Sequence, residues 1–299
     1  MLKKKIAVIG PGVMAEAMIA GLLRKKLADP RNIIASGPRE ERGTELNKKY
    51  GIQSTTGNSS AVHEADVVVL SVKPQRLTEV MKGLKGIRSD ALVLSIIAGA
   101  TIKKIGTGLK HKAIVRSMPN TPGQIGEGIT VWCASKEVTE EQQGMTRSIL
   151  GALGEEVFVE DESYLDMATA LSGSGPAYVF LFTEALIDAG VHMGFPRRIA
   201  EQLVLQTIKG SASFYEGASR HPASRPREAT RIMQHLNRTK GCDDLLGPDK
   251  SRTQHQDASI FCPWFNGRAD VGTTSRVRAG WRRPSRGRTS AAPRCTPSR

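Results

Sequence analysis

Glycine turns flanked by arginines and small residues, with no obvious acid–base dyad, are what this sequence offers for chemistry. The first is Gly10-Pro11-Gly12. It follows the apolar run Ile6-Ala7-Val8-Ile9 and opens a helical pattern with Met14, Met18 and Leu22 on one face. Glycine has no Cβ, so a phosphate can approach the backbone closely. The helix N-terminus behind the turn offers free N–H donors and a partial positive charge. Strand, turn and helix in this order are the architecture of a dinucleotide pyrophosphate site, the alternative being a plain tight turn, and Ala15 at the place of the third glycine is an accepted variant. A site built for NAD usually carries an acid about 20 residues beyond the glycines. Here Ser36, Arg39 and Arg42 stand near that point with no acid before Arg39. A carboxylate would repel a 2′-phosphate and a guanidinium would bind it, so the reading is NADPH, with NADH left open. The alternative is that both arginines form a solvated helix start.

Further candidates lie where other strands should end. Lys73-Pro74-Gln75 and Ala98-Gly99-Ala100 are small or rigid enough for a flat ring to approach, although ordinary turns have the same composition. Met118-Pro119-Asn120-Thr121-Pro122-Gly123 is dense in turn formers and would point Asn120 and Thr121 into the same crevice. Ser172-Gly173-Ser174-Gly175 precedes Pro176, well placed at a first helical position, and would leave backbone N–H groups open to an anion such as a carboxylate. His192 and His221 are lone histidines and read as structural.

The elements that must position these residues alternate. Strands are expected at 32–36, 66–72, 91–97, 112–118 and 128–134, and helices at 40–50 (ended by Gly51), 77–84 and 101–109. The continuous apolar runs mark strands covered on both faces, and the alternation implies right-handed crossovers in a mostly parallel sheet. From Tyr164 the chain reads as all helix, with an apolar segment from Val179 to Ala189 ended by Gly190 and another from Arg197 to Ser213. Helices apolar on several faces pack on each other or on a second subunit.

At 299 residues the chain has room for two domains. No stretch reaches the roughly 18 apolar residues of a bilayer span. The basic N-terminus runs directly into the first strand, which leads us to expect a cytoplasmic protein. Cys133, Cys242, Cys262 and Cys295 form no Cys-x-x-Cys pair, which argues against zinc or a disulfide framework. Residues 224–299 hold 16 Lys and Arg against 6 Asp and Glu, so most of the +14 net charge lies there and the body is ordinary.

Taken together, Gly10-Pro11-Gly12-Val13-Met14-Ala15, Ser71-Val72-Lys73-Pro74-Gln75, Ala98-Gly99-Ala100-Thr101-Ile102, Met118-Pro119-Asn120-Thr121-Pro122 and Leu171-Ser172-Gly173-Ser174-Gly175-Pro176-Ala177-Tyr178 resemble the pyrroline-5-carboxylate reductases, in order and spacing, from residue 4 to about Pro222. The resemblance implies a doubly wound α/β Rossmann domain (residues 1–160) followed by an all-α dimerisation domain (161–223), here incomplete. It implies hydride transfer from NAD(P)H to the C5=N bond of 1-pyrroline-5-carboxylate, giving L-proline, in a homo-oligomer. It places Gly10, Gly12, Val13 and Met14 on the pyrophosphate, Ser36 and Arg39 near the adenosine phosphate, and Asn58 near its ribose. It places Val72, Lys73, Pro74, Ala98 and Gly99 around the nicotinamide, with Ser174 and Gly175 near the substrate, and Asn120 is expected to bind the substrate with them.

After about Ala223 the chain departs from that pattern. The family continues with a Thr-Ser-Pro-Gly-Gly-Thr-Thr-type loop; here the composition turns Arg-, Pro- and Ser-rich, as a change of reading frame would produce, and Asp270-Val271-Gly272-Thr273-Thr274 is too slight and displaced to replace it. A basic, disordered tail is expected over residues 224–299, and with it cofactor binding but little turnover. Two other readings are compatible with parts of this pattern. One is another NADP-dependent imine or hydroxyacid reductase. The hydroxyacid class wants a Lys shortly before an Asn, and Lys209 is followed by Gly-Ser-Ala-Ser. The other is a non-catalytic NADP-binding protein whose tail, with Arg278, Arg282, Arg283, Arg286 and Arg288 near Trp281, contacts nucleic acid. Basic disordered composition is commoner than that function, so nucleic acid is not the expected partner, and no membrane is expected.

Overall fold

The computed structural model describes residues 3–217. The expected tail and His221 lie outside the described residues. Strands β1 (Ile6–Ile9), β2 (Ile33–Ser36), β3 (Gln53–Thr55), β4 (Val67–Leu70), β5 (Leu92–Ser95), β6 (Ile114–Met118), β7 (Gly128–Ala134) and β8 (Gly154–Phe158) form one sheet in the order β3-β2-β1-β4-β5-β6-β7-β8. Among the described residues every neighbouring pair is parallel except β6 and β7. The connecting helices are α1 (Val13–Arg24), α2 (Glu40–Tyr50), α3 (Asn58–Val62), α4 (Leu77–Gly83), α5 (Ile102–Leu109) and α6 (Glu140–Leu150), followed by α7 (Tyr164–Ala168), α8 (Gly175–His192) and α9 (Arg197–Glu216).

The apolar runs do what both-face burial requires. Ile6, Val8, Val67, Val69, Leu92 and Leu94 face a core shared with Met18 and Leu22 of α1, Leu46 of α2, and Ile149 and Leu150 of α6. The intervening Ala7, Ile9, Val68, Leu70 and Val93 face a second core with Leu77 and Met81 of α4 and Ile105 of α5. A strand's side chains alternate faces, so a run without polar gaps fits only a sheet sandwiched between helices. Local signals end the elements: Gly51 takes φ +70 after α2, where a side chain would be strained, and Thr139 and Gln142 close a capping box at α6.

The register aligns the strand ends. Ile9 pairs with Ser36 on one side and Leu70 on the other. Leu70 pairs with Ser95, and Ser95 with Arg116. The segments that follow these residues therefore emerge side by side. The chain order reverses between β1 and β4, where α/β sheets bind ligands.

The helical part corrects several expectations. Gly190 does not end α8, which runs to His192; Gly194, at φ +101, makes the turn instead. A Cβ on Gly190 would sit 3.0 Å from that of Ala200, so Gly190 is where α8 and α9 approach closely. Nor is Gly175 a free helix start. α7 continues through a π-helical turn, Thr169–Gly173, into α8, and Ser174 gives both its N–H (2.9 Å) and its O–H (3.0 Å) to the carbonyl of Thr169. The resulting run, Tyr164–His192, is 29 residues and, by length and composition alone, apolar enough to cross a membrane, contrary to the expectation that no stretch is. Elements β3, α3, α6 and β8 were not anticipated. The first two are short, and the consecutive Glu155 and Glu156 interrupt the apolar pattern of β8.

Candidate active site

The phosphate turn is built from its contacts. Gly10 holds φ +90, and a Cβ there would meet Val72 Cγ1 at 2.6 Å and Ser71 O at 2.9 Å, so this glycine is required by the fold itself. Its N–H donates to the carbonyl of Ser36 (2.8 Å). Gly12 differs: nothing lies within 4 Å of where its Cβ would be. No side chain caps α1 at Gly12, so the N–H groups of its first turn, at Val13 and Met14, keep no partner by helix geometry. A cradle of open amides over a glycine fits a pyrophosphate. Ala15 is fully buried beneath it.

A cavity of about 360 Å³ opens from this turn at the β1/β4 reversal. Gly10, Gly12, Arg39, Val72 and Lys73 of the expected cofactor positions line it, with Pro11, Gly37 and Arg42. Arg39 is exposed at the start of α2, and its guanidinium has no partner among the described residues. The other residues read as 2′-phosphate ligands are placed differently. Ser36 is fully buried and donates its hydroxyl to Asn58 Oδ1 (2.7 Å), and neither residue lines the cavity. Arg42 directs Nε to the carbonyl of Pro11 (3.1 Å) and its terminal nitrogens to Glu16 and to Glu45 (2.8 Å to the latter). Glu16, which sequence reasoning missed, also accepts from Lys49 (2.8 Å) and Tyr50 (2.8 Å). Lys49 first, then Arg42 and Tyr50, hold its carboxyl at about 2 against the opposing effect of burial.

The expected nicotinamide positions Pro74, Ala98 and Gly99 follow the neighbouring strand ends and do not line that cavity. Pro74 opens a short 3₁₀ turn after β4, and Ala98 and Gly99 are exposed after β5, with Gly99 at φ +69 and open space where its Cβ would be. After β6 the chain turns back to the helical part. Asn120 accepts from the N–H of Ile129 (3.0 Å) and donates to the carbonyl of Ser172 (3.2 Å). Its amide therefore joins the β6–β7 connection to the Ser172–Tyr178 stretch instead of pointing free into the crevice. A Cβ on Gly173 would fall 2.8 Å from Met118 Cε, so this glycine lets the π-turn settle on the end of β6.

A second fastening was also missed, though a charge inside an apolar strand signals it. Arg116, 3% exposed, bonds Glu162 (3.0 Å) and Asp166 (2.7 Å). Glu162 Oε1 also accepts the N–H of Ile102 (2.8 Å), capping α5 from across the fold. Burial pulls the Arg116 pKa down, and the two carboxylates more than offset it. His192 is exposed and bonds the carbonyl of Asp188 (2.8 Å), an ordinary helix-end contact. A larger cavity, about 650 Å³, lies at the amino ends of β2 and β3 and contains none of the motif residues.

Comparison with known proteins agrees with this layout. A family model described as pyrroline-5-carboxylate reductase dimerisation matches residues 162–233, and one described as NADP oxidoreductase, coenzyme F420-dependent, matches residues 5–99. A pyrroline-5-carboxylate reductase of Synechocystis is 42% identical over 219 residues, which is 73% of this chain and 82% of that protein. Among solved structures, a pyrroline-5-carboxylate reductase from Coxiella burnetii aligns with TM-score 0.70 and 32% identity over 79% of this chain and 92% of its own. The Plasmodium falciparum pyrroline carboxylate reductase, solved with NADP bound, aligns with TM-score 0.70 and 30% identity over 80% of this chain and 91% of its own. With the phosphate turn, the crevice and the Ser172–Tyr178 stretch each in place, the chain belongs to the pyrroline-5-carboxylate reductase family.

Proposed function

We propose that the protein reduces 1-pyrroline-5-carboxylate to L-proline with NADPH. The observation that carries this reading is the 42% identity over 219 residues to a pyrroline-5-carboxylate reductase. The open amides at Val13 and Met14, reached over Gly12, would hold the pyrophosphate, and Arg39 the 2′-phosphate. Val72, Lys73, Pro74, Ala98 and Gly99 would flank the nicotinamide. NADPH, when bound, supplies the hydride. A protonated cyclic imine is already electrophilic, so these residues need chiefly to align and shield it. The substrate side falls to the Ser174–Gly175 segment, which Asn120 holds through Ser172. Residues 1–160 would thus serve the nucleotide and 161–223 the substrate and assembly. The names of the relatives disfavour a hydroxyacid reductase or a non-catalytic nucleotide binder.

The assembly follows from α8. Phe180, Leu181 and Phe182 are 60% or more exposed, and the region matches a dimerisation family. We propose that a second copy covers this face, rather than a lipid bilayer. The function is tested by incubating concentrated protein with NADPH and pyrroline-5-carboxylate and quantifying labelled proline. Proline above the protein-free rate supports the reading; none, at saturating bound NADPH, overturns it.

A further inference from the structure

Arg42 lines the cofactor cavity, yet each of its three guanidinium nitrogens already has a partner within the protein. Nε donates to the carbonyl of Pro11 (3.1 Å), one terminal nitrogen to Glu45 (2.8 Å) and the other to Glu16. The side chain is 17% exposed. Glu16 is itself held by Lys49 and Tyr50. The turn it touches is fastened at two more places. Gly10 N–H donates to Ser36 O, and the Pro11 ring packs on Gly37, where a Cβ would fall 2.8 Å from Pro11 Cδ. Arg42 is the only one of these contacts that reaches the turn from α2, and Glu16 ties it to the first helical turn behind the glycines.

We propose that Arg42, oriented by Glu16 and Glu45, is a positioning residue: it presets the Gly10-Pro11-Gly12 turn for the pyrophosphate common to NADPH and NADH, and leaves the 2′-phosphate to Arg39. A guanidinium already paired with two carboxylates has little net charge to offer a phosphate. Its hydrogen bond to Pro11 instead removes freedom from a turn that must be ordered for its amides to converge. This rests on the reading of the cavity as a nucleotide site.

The test compares Arg42→Ala, Arg42→Lys, Glu16→Gln and Arg39→Ala by fluorescence titration with NADPH and with NADH, and by hydrogen exchange of residues 10–14 in nucleotide-free protein. Arg42→Ala should weaken both nucleotides by the same factor, about tenfold, and speed exchange in the turn. Arg42→Lys keeps the charge but offers one nitrogen in place of a planar fork of three, so it cannot reach Pro11, Glu16 and Glu45 together and should not rescue. Glu16→Gln keeps hydrogen-bonding capacity and should show the same pattern more weakly, which covers the case where Arg42→Ala fails to fold. Arg39→Ala should change the NADPH to NADH ratio and leave exchange alone. Loss of NADPH affinity alone in Arg42→Ala would make Arg42 a phosphate ligand and overturn the proposal, as would unchanged affinity and exchange. If the unsubstituted protein binds neither nucleotide, the nucleotide reading fails, and turn exchange still decides whether Arg42 orders it.

Discussion

Two glycines of one turn do different jobs. Gly10 is held at positive φ against Val72 and Ser71, whereas Gly12 faces open space. Gly12→Val should therefore leave the melting temperature within a few degrees while abolishing NADPH binding, because its side chain occupies the phosphate cradle. Gly10→Ala should destabilise the fold itself, by about 1–3 kcal/mol. Thermal melts beside nucleotide titrations separate the two, and normal NADPH affinity in Gly12→Val would place the cofactor elsewhere. Arg39→Ala should cost NADPH about 1.5–3 kcal/mol and NADH nothing; equal losses would remove Arg39 from the 2′-phosphate. Glu16 makes a pH prediction. Its carboxyl is depressed to about 2 from an ordinary 4.5, so the stability it contributes is present above pH 4.5 and is lost as pH falls toward 2. Glu16→Gln should flatten acid unfolding across that window, by at most about 3 kcal/mol. An unchanged acid limb would show that the pairing in the folded state adds nothing.

Between strands and helices, Arg116 is the principal fastener. It joins β6 to α7, and Glu162 carries the connection on to the N-terminus of α5. Arg116 is buried, but Glu162 is 31% and Asp166 73% exposed, so the carboxylates that Arg116→Ala leaves behind stay solvated, and the loss should be about 1–3 kcal/mol from the broken charge-assisted hydrogen bonds. Glu162→Gln keeps an acceptor for Ile102 but weakens the pairing, so it should cost less and raise hydrogen exchange selectively at Ile102 and in residues 162–175. Exchange that rises uniformly across the sheet would argue for a general loss of stability rather than a local fastening.

The exposed apolar side of α8 bears on assembly and activity together. If a second copy covers it, Leu181→Glu should convert a dimer or larger species into monomer in sedimentation velocity; a monomer before substitution would remove that role. Turnover is a separate matter. The chain lacks a counterpart of the Thr-rich loop the family carries, and the residues in its place lie outside the described residues. We expect near-normal NADPH affinity with turnover lowered by orders of magnitude, as loss of positioning groups does. Full activity would show that residues after 223 complete the pocket by another route.

The doubly wound sheet, the glycine turn and the strand ends were legible because their signals are local. Uninterrupted apolar runs such as Val67–Leu70, a glycine needed at positive φ such as Gly51, and Gly10-Pro11-Gly12 between strand and helix each depend on a few adjacent residues. Gly190 misled for the same reason: within one helix it looks like a stop, and only the neighbouring Ala200 shows why a glycine is there. Ser36 and Arg42 likewise had the composition of phosphate ligands. Which arginine stays free was decided by Glu16, 26 residues before Arg42, and the Ser36 hydroxyl was taken by Asn58, 22 residues beyond it. Those partners meet only when the strand register aligns Ser36, Ile9, Leu70, Ser95 and Arg116 at one end of the sheet. Local sterics and hydrophobic period thus determined the architecture and the place of the site, while chain closure over tens of residues decided which polar groups remain available in it.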